Sequence, residues 1–94
     1  MAITRINDFH AAPGRDADLR AFLQSIISTI TSAAGCISVD LLVDHGDPTH
    51  IVIVERWVDI PAHQAAATLI PPSQLAQVQP LLAAPPRGVY YDPA

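Results

Sequence analysis

The stretch His50-Ile51-Val52-Ile53-Val54-Glu55-Arg56-Trp57-Val58 decides how this chain must fold. Its β-branched content marks a strand. Alternation sets Ile51, Ile53, Glu55 and Trp57 on one face and Val52, Val54, Arg56 and Val58 on the other. Both faces are largely apolar, so both must be covered. Helices can cover one; a chain of 94 residues is short enough that the second layer is expected from another copy of itself.

The neighbouring sequence supplies the rest of the sheet and its helices. Ile3 to His10 alternates as a first strand, with Ile3, Arg5, Asn7 and Phe9 on one face and Thr4, Ile6, Asp8 and His10 on the other, and Ala12-Pro13-Gly14 ends it. From Asp16 to Ala33, Leu19, Phe22, Leu23, Ile26, Ile27 and Ile30 recur at spacings of three and four, which predicts an amphipathic helix that Gly35 stops. Cys36 to Asp44 returns to strand alternation, placing Ile37, Val39, Leu41 and Val43 opposite Cys36, Ser38, Asp40 and Leu42. His45 to Thr49 reads as a polar loop joining a hairpin.

Asp59 is positioned to cap a helix over Ala62 to Leu69 with Pro61 in its first turn, and Pro71-Pro72 ends it. Ser73 is expected to cap a further helix carrying Leu75, Ala76, Val78, Leu81 and Leu82, bent or broken at Pro80. Arg87 to Tyr91 reads as a last edge strand. The order is β-α-β-β-α-β, for which a ferredoxin-like α+β sandwich, one domain over residues 1–94, is the economical solution. Its helices leave one sheet face open, and back-to-back pairing in a homodimer closes it.

Composition excludes several classes of function. Net charge is -4 with only five Lys or Arg residues, a poor match for a nucleic-acid backbone. Cys36 is the only cysteine, so no internal disulfide forms and a buried free thiol is expected. No run is long enough to cross a bilayer and the amino terminus lacks signal-peptide character, making the cytoplasm the expected compartment. His10, His45 and His50 show no metal-ligand spacing with a cysteine or carboxylate, so no structural metal is expected.

Three segments, in order, resemble the antibiotic biosynthesis monooxygenase family: Phe9-His10-Ala11-Ala12-Pro13-Gly14-Arg15, Ala34-Gly35-Cys36-Ile37-Ser38-Val39-Asp40 and Ile53-Val54-Glu55-Arg56-Trp57-Val58-Asp59. The resemblance covers nearly the whole chain. It implies a ferredoxin-like subunit that associates as a dimeric α+β barrel. It leaves the reaction open, since members of the family include cofactor-free oxygenases of polycyclic aromatic phenols or quinols, haem-degrading enzymes and proteins whose reaction is unknown. In the haem-degrading branch the functional set is an Asn on the first strand, a Trp ending the third and a His on the helical region. Asn7 and Trp57 match, whereas His63 falls one helical turn before the matching position, Ala66.

The leading reading is a cofactor-independent monooxygenase acting on a small aromatic ligand such as an aromatic polyketide, phenol or quinol. The alternatives are a haem-binding or haem-degrading enzyme and a noncatalytic dimeric binding protein. Under the leading reading Trp57 stacks on a planar substrate, Asn7 donates to a phenolate or quinone oxygen, and Phe9 extends the apolar wall. His63 is the candidate general base. Arg5 shares the face of Asn7 and holds an anionic substrate or an outer salt bridge. Tyr90 or Tyr91 orients a phenolic oxygen from the last strand. Glu55 and Arg56 are expected to finish interfaces or edges rather than to take part in chemistry.

Overall fold

A computed structural model describes residues 2–94. The chain runs β1 (Ile3–His10), α1 (Asp16–Thr31), β2 (Cys36–Asp44), β3 (Asp47–Trp57), α2 (Ile60–Ala67), a short helix α3 (Pro72–Leu75), a 3-10 turn at Gln79–Leu81 and β4 (Arg87–Tyr91). The strands make one antiparallel sheet in the order β2-β3-β1-β4. This is the ferredoxin-like arrangement expected from the element order. β3 pairs on both sides, to β1 with Ile3 opposite Trp57 and to β2 with Leu41 opposite Ile53.

The helices lie on the face carrying Ile51, Ile53, Glu55 and Trp57, all at most 3% exposed. Leu19, Leu23 and Ile26 of α1 pack there with Ile51 and Ile53. Farther along the sheet, Trp57 packs with Ile3 and Ala33. Apolar burial at ~25 cal/mol per Å² makes these two clusters the main stabilising term of the helix-covered face.

α1 ends at Thr31, before Gly35. Thr31 and Ser32 turn their hydroxyls back onto the carbonyls of Ile27 and Ser28, at 2.8 and 2.9 Å, which competes with continuing the helix. Gly35 instead shapes the turn into β2 at φ +85°. A Cβ there would lie 2.7 Å from the Ala62 Cβ and 3.0 Å from Val58 Cγ2. The missing side chain lets the start of α2 seat directly on this turn.

The hairpin differs from the expected loop. β3 begins at Asp47, opposite Asp44, so only His45 and Gly46 connect the strands. Asp44 and Asp47 accept bonds from the Gly46 and Thr49 amides, at 2.9 and 3.0 Å, and these local bonds tighten the turn. In β2 the register shifts between Cys36 and Ser38, so that Cys36 faces Trp57 on the helix side rather than the outer side. A bulge reverses alternation within one residue.

Asp59 caps α2, its carboxylate accepting from the Ala62 amide at 2.8 Å. The expected helix from Ser73 is shorter than its apolar pattern implies. α3 stops at Leu75, its N-cap position is Pro71, and Ser73 makes no capping bond. The segment is held by tertiary bonds instead: Ala12 donates to the Leu81 carbonyl and Ala83 to that of His10, both at 2.8 Å.

Candidate active site

A cavity of about 240 Å³ lies between the sheet and the helical layer. Asn7, Phe9, Ile53, Glu55 and Trp57 form its floor from β1 and β3, and Phe22, Leu23, Ile26 and Ile30 form the α1 wall. The opposite wall is His63, Ala66 and Ala67 of α2, followed by Ile70, Leu75, Val78 and Pro86. His63, Ala66, Ala67 and Ile70 follow helical spacing, and the two alanines leave open volume between the imidazole and the apolar end. The volume exceeds the ~150 Å³ of an apolar cavity that takes up benzene, so a larger planar ring system fits.

The polar groups gather at one end. Glu55 is 3% exposed. The Trp57 indole N–H donates to its Oε1 at 2.9 Å, and Asn7 Nδ2 donates to its Oε2 at 2.9 Å. Arg5 Nε donates to Asn7 Oδ1 at 3.1 Å. Arg5 has no acceptor, so this bond fixes the Asn7 amide with its NH₂ toward Glu55. Burial pushes the Glu55 carboxyl above its ordinary range, opposed by the bond from Trp57, the Arg5 charge and the bond from Asn7. Both carboxylate oxygens meet donors, which is the pattern that holds the ionised form.

His63 stands across from this carboxylate, with Nε2 3.9 Å from Glu55 Oε1. Its Nδ1 is 2.6 Å from the Tyr90 hydroxyl. The imidazole meets Trp57 and Tyr90 edge to face, at 5.5 and 5.3 Å between ring centres. Burial, and secondarily the Arg5 charge, lower its pKa below 6.5, so the ring is neutral at physiological pH. Arg5 itself is drawn aside, its guanidinium 4.6 Å above the Tyr90 ring. It lies against Gly88, where a Cβ would fall 1.9 Å from Arg5 Nη2 and 2.6 Å from Asn7 Oδ1. Gly88 is therefore the gap that admits this guanidinium.

The family model for antibiotic biosynthesis monooxygenases matches residues 2–68, a span that includes Asn7, Glu55, Trp57 and His63. The chain belongs to that family. Among solved structures, Rv0793 from Mycobacterium tuberculosis is similar at TM-score 0.86 and 26% identity, covering 100% of this chain and 96% of its own. SO0527 from Shewanella oneidensis follows at 0.82 and 28%, covering 96% and 88%. SnoaB, a cofactor-independent oxygenase from Streptomyces nogalater, shares the fold at 0.81 and 15% identity, covering 98% and 92%. No curated protein matches the chain.

Within this family member, Asn7, Phe9, Trp57 and His63 line one cavity, and Tyr90 reaches it through His63. Tyr91 does not. It pairs opposite Thr4 on the outer face and is 49% exposed. Arg5 faces the helices but is engaged by Asn7 and Tyr90 outside the cavity lining, so it is not placed to grip an anionic substrate. Glu55 is the residue that sequence reasoning assigned elsewhere. Rather than finishing an interface, it is the buried acceptor around which the site is built. A lone carboxylate in the row Ile51, Ile53, Glu55, Trp57 was the available signal.

The residues do not suit haem. The His63 Nδ1 is engaged by Tyr90, and its Nε2 lies 3.9 Å from a buried carboxylate. The cavity lining carries no Lys or Arg to pair with acidic porphyrin substituents. Among the described residues no group of three or more His, Cys, Asp or Glu side chains is placed to hold a metal ion, and no helix is long and apolar enough to cross a membrane.

Proposed function

We propose that this protein is a cofactor-independent monooxygenase acting on a planar aromatic substrate with an ionisable hydroxyl: a phenol, quinol or aromatic polyketide. The supporting observation is the convergence of a neutral imidazole and a buried carboxylate at one end of an otherwise apolar cavity. An imidazole donating from Nδ1 to Tyr90 keeps the Nε2 lone pair for the substrate hydroxyl. Proton transfer to Nε2 forms an imidazolium 3.9 Å from Glu55, which stabilises it. Trp57, its indole N–H held by Glu55, presents a fixed aromatic edge to the ring system. Asn7 spends one amide proton on Glu55, and its second is the donor available to the substrate oxygen.

The deprotonated substrate is the reductant. It passes an electron to dioxygen, the radicals combine as a hydroperoxide at carbon, and loss of water leaves a carbonyl. One oxygen atom enters the product and the other leaves as water, so RH₂ + O₂ gives R=O + H₂O. The apolar walls exclude bulk water from the anion. The imidazolium returns the proton needed when water departs.

Oxygen uptake tests this reading. Purified protein is given reduced polycyclic phenols, anthrone-type ketones and hydroquinones, with His63→Ala as control. Turnover that falls with the variant supports the proposal; ligand binding without conversion across the panel identifies a binding protein instead.

We also propose that a second copy covers the outer sheet face. Ile6, Val52, Val54 and Val89 are half-buried there, and Leu42 and Tyr91 are 50% and 49% exposed. Burying such a patch is what drives isologous pairing. Light scattering over a dilution series should give twice the chain mass at micromolar concentration, and a monomer there overturns the pairing.

A further inference from the structure

Glu55 does more than position its neighbours. A carboxylate has about four acceptor positions, and the bonds from Trp57 and Asn7 occupy two. Glu55 itself lines the cavity, where the other polar lining groups are the Asn7 amide and the neutral His63. The nearest cation, Arg5, is held by Asn7 and the Tyr90 ring and adds nothing to the lining. An incoming anion would therefore lose its water beside a buried negative charge with no cation lining the cavity to pair with it, a costly arrangement at low dielectric.

We infer that Glu55 is a specificity-determining residue, which admits neutral aromatics that offer a hydroxyl donor and rejects aromatic carboxylates and other pre-formed anions. A neutral hydroxyl can donate to a Glu55 oxygen or to His63 Nε2, whose separation of 3.9 Å lets a single oxygen atom sit within hydrogen-bond distance of both. Ionisation then happens only inside the cavity, with the proton retained on His63. The inference rests on the proposed aromatic-binding reading and narrows its substrate class to uncharged hydroxyarenes.

Calorimetric titration at neutral pH with 2-naphthol, methyl 2-naphthoate and 2-naphthoate separates donor from charge on one ring system. The expected order of affinity is naphthol, then ester, then naphthoate, with at least tenfold between the first and last. In Glu55→Gln, its fold checked by circular dichroism, the gap should narrow because naphthoate improves. Naphthoate binding as tightly as naphthol in the wild-type protein overturns this inference and leaves the oxygenase reading standing. Absence of binding by all three ligands overturns the aromatic cavity itself. The wild-type ranking needs no variant to fold.

Discussion

The two faces of β3 hold the same kinds of residue in different circumstances. On the helix side, a charged Glu55 sits among Ile51, Ile53 and Trp57, with its oxygens bonded by Trp57 and Asn7. On the outer side, charge is carried at the hairpin end: His50 bonds Asp44 at 2.9 Å and Asp8 at 2.8 Å and stacks on His10 at 4.6 Å. The first cluster is enclosed and polarised toward a cavity; the second is partly exposed and screened by water. Position in the sheet, rather than composition, makes one an enclosed polar cluster and the other a surface network.

Truncation should expose that contrast most strongly at Trp57. Trp57→Ala removes a fully buried ring and a donor to Glu55, and is expected to cost about 3–5 kcal/mol in urea unfolding. Arg56→Ala, the next residue on the outer side, should change stability by less than about 0.5 kcal/mol. Equal losses would mean that the outer face is covered as fully as the inner one.

His63→Gln should lower kcat/KM by about a hundredfold or more, since it removes the proposed base, with a smaller loss of stability from its contacts with Trp57 and Tyr90. Gly88→Ala tests the support behind it. The added methyl collides with Arg5 and Asn7, and the expected cost is about 1–3 kcal/mol. A neutral outcome would show that the guanidinium can leave without disturbing the Asn7 amide.

Acidity should move the two faces in opposite directions, the smallest effect expected. His63 has a lowered pKa through burial, so its favourable contribution is present above 6.5 and declines as pH falls toward its folded value. His50 has a raised pKa through its bonds to Asp44 and then Asp8, so its contribution is present below 6.5 and is lost as pH rises through its folded value. The destabilisation caused by His50→Ala should thus grow on acidification. That caused by His63→Gln should shrink, and parallel pH trends would contradict this pairing of causes.

Much of the fold was legible because alternation and helical spacing are local. The bounds of β1, β2 and β4 and the Asp59 cap follow from residue pattern alone. Asp47-Pro48-Thr49 misled because its residues favour loops, yet pairing of Asp47 with Asp44 extends β3 through them. The bulge after Cys36 was invisible for a related reason, as a one-residue register shift depends on the partner strand. Leu75 to Leu82 carries a helical pattern, but bonds to β1 and the following chain fix it as short turns.

The site was half legible. Asn7, Trp57 and His63 could be named from residue type and resemblance, and Glu55 could be put on the right face. Its role required the register that sets Arg5 opposite both Glu55 and Tyr90. That cross-strand alignment brings Asn7 to one carboxylate oxygen and aligns Tyr90 with the imidazole. No short-range sequence pattern reports a contact between residues 27 positions apart, such as His63 and Tyr90.

The close seat of Ala62 on Gly35 carries a lesson for anyone diversifying this scaffold. His63 follows Ala62, so the placement of the imidazole is inherited from a turn that lies outside the cavity lining. A library built only from cavity-lining positions would overlook residue 35, and a library that includes it should find almost every replacement inactive. Mutational intolerance at this position would record the tolerance stack of a rigid mount, not contact with a ligand.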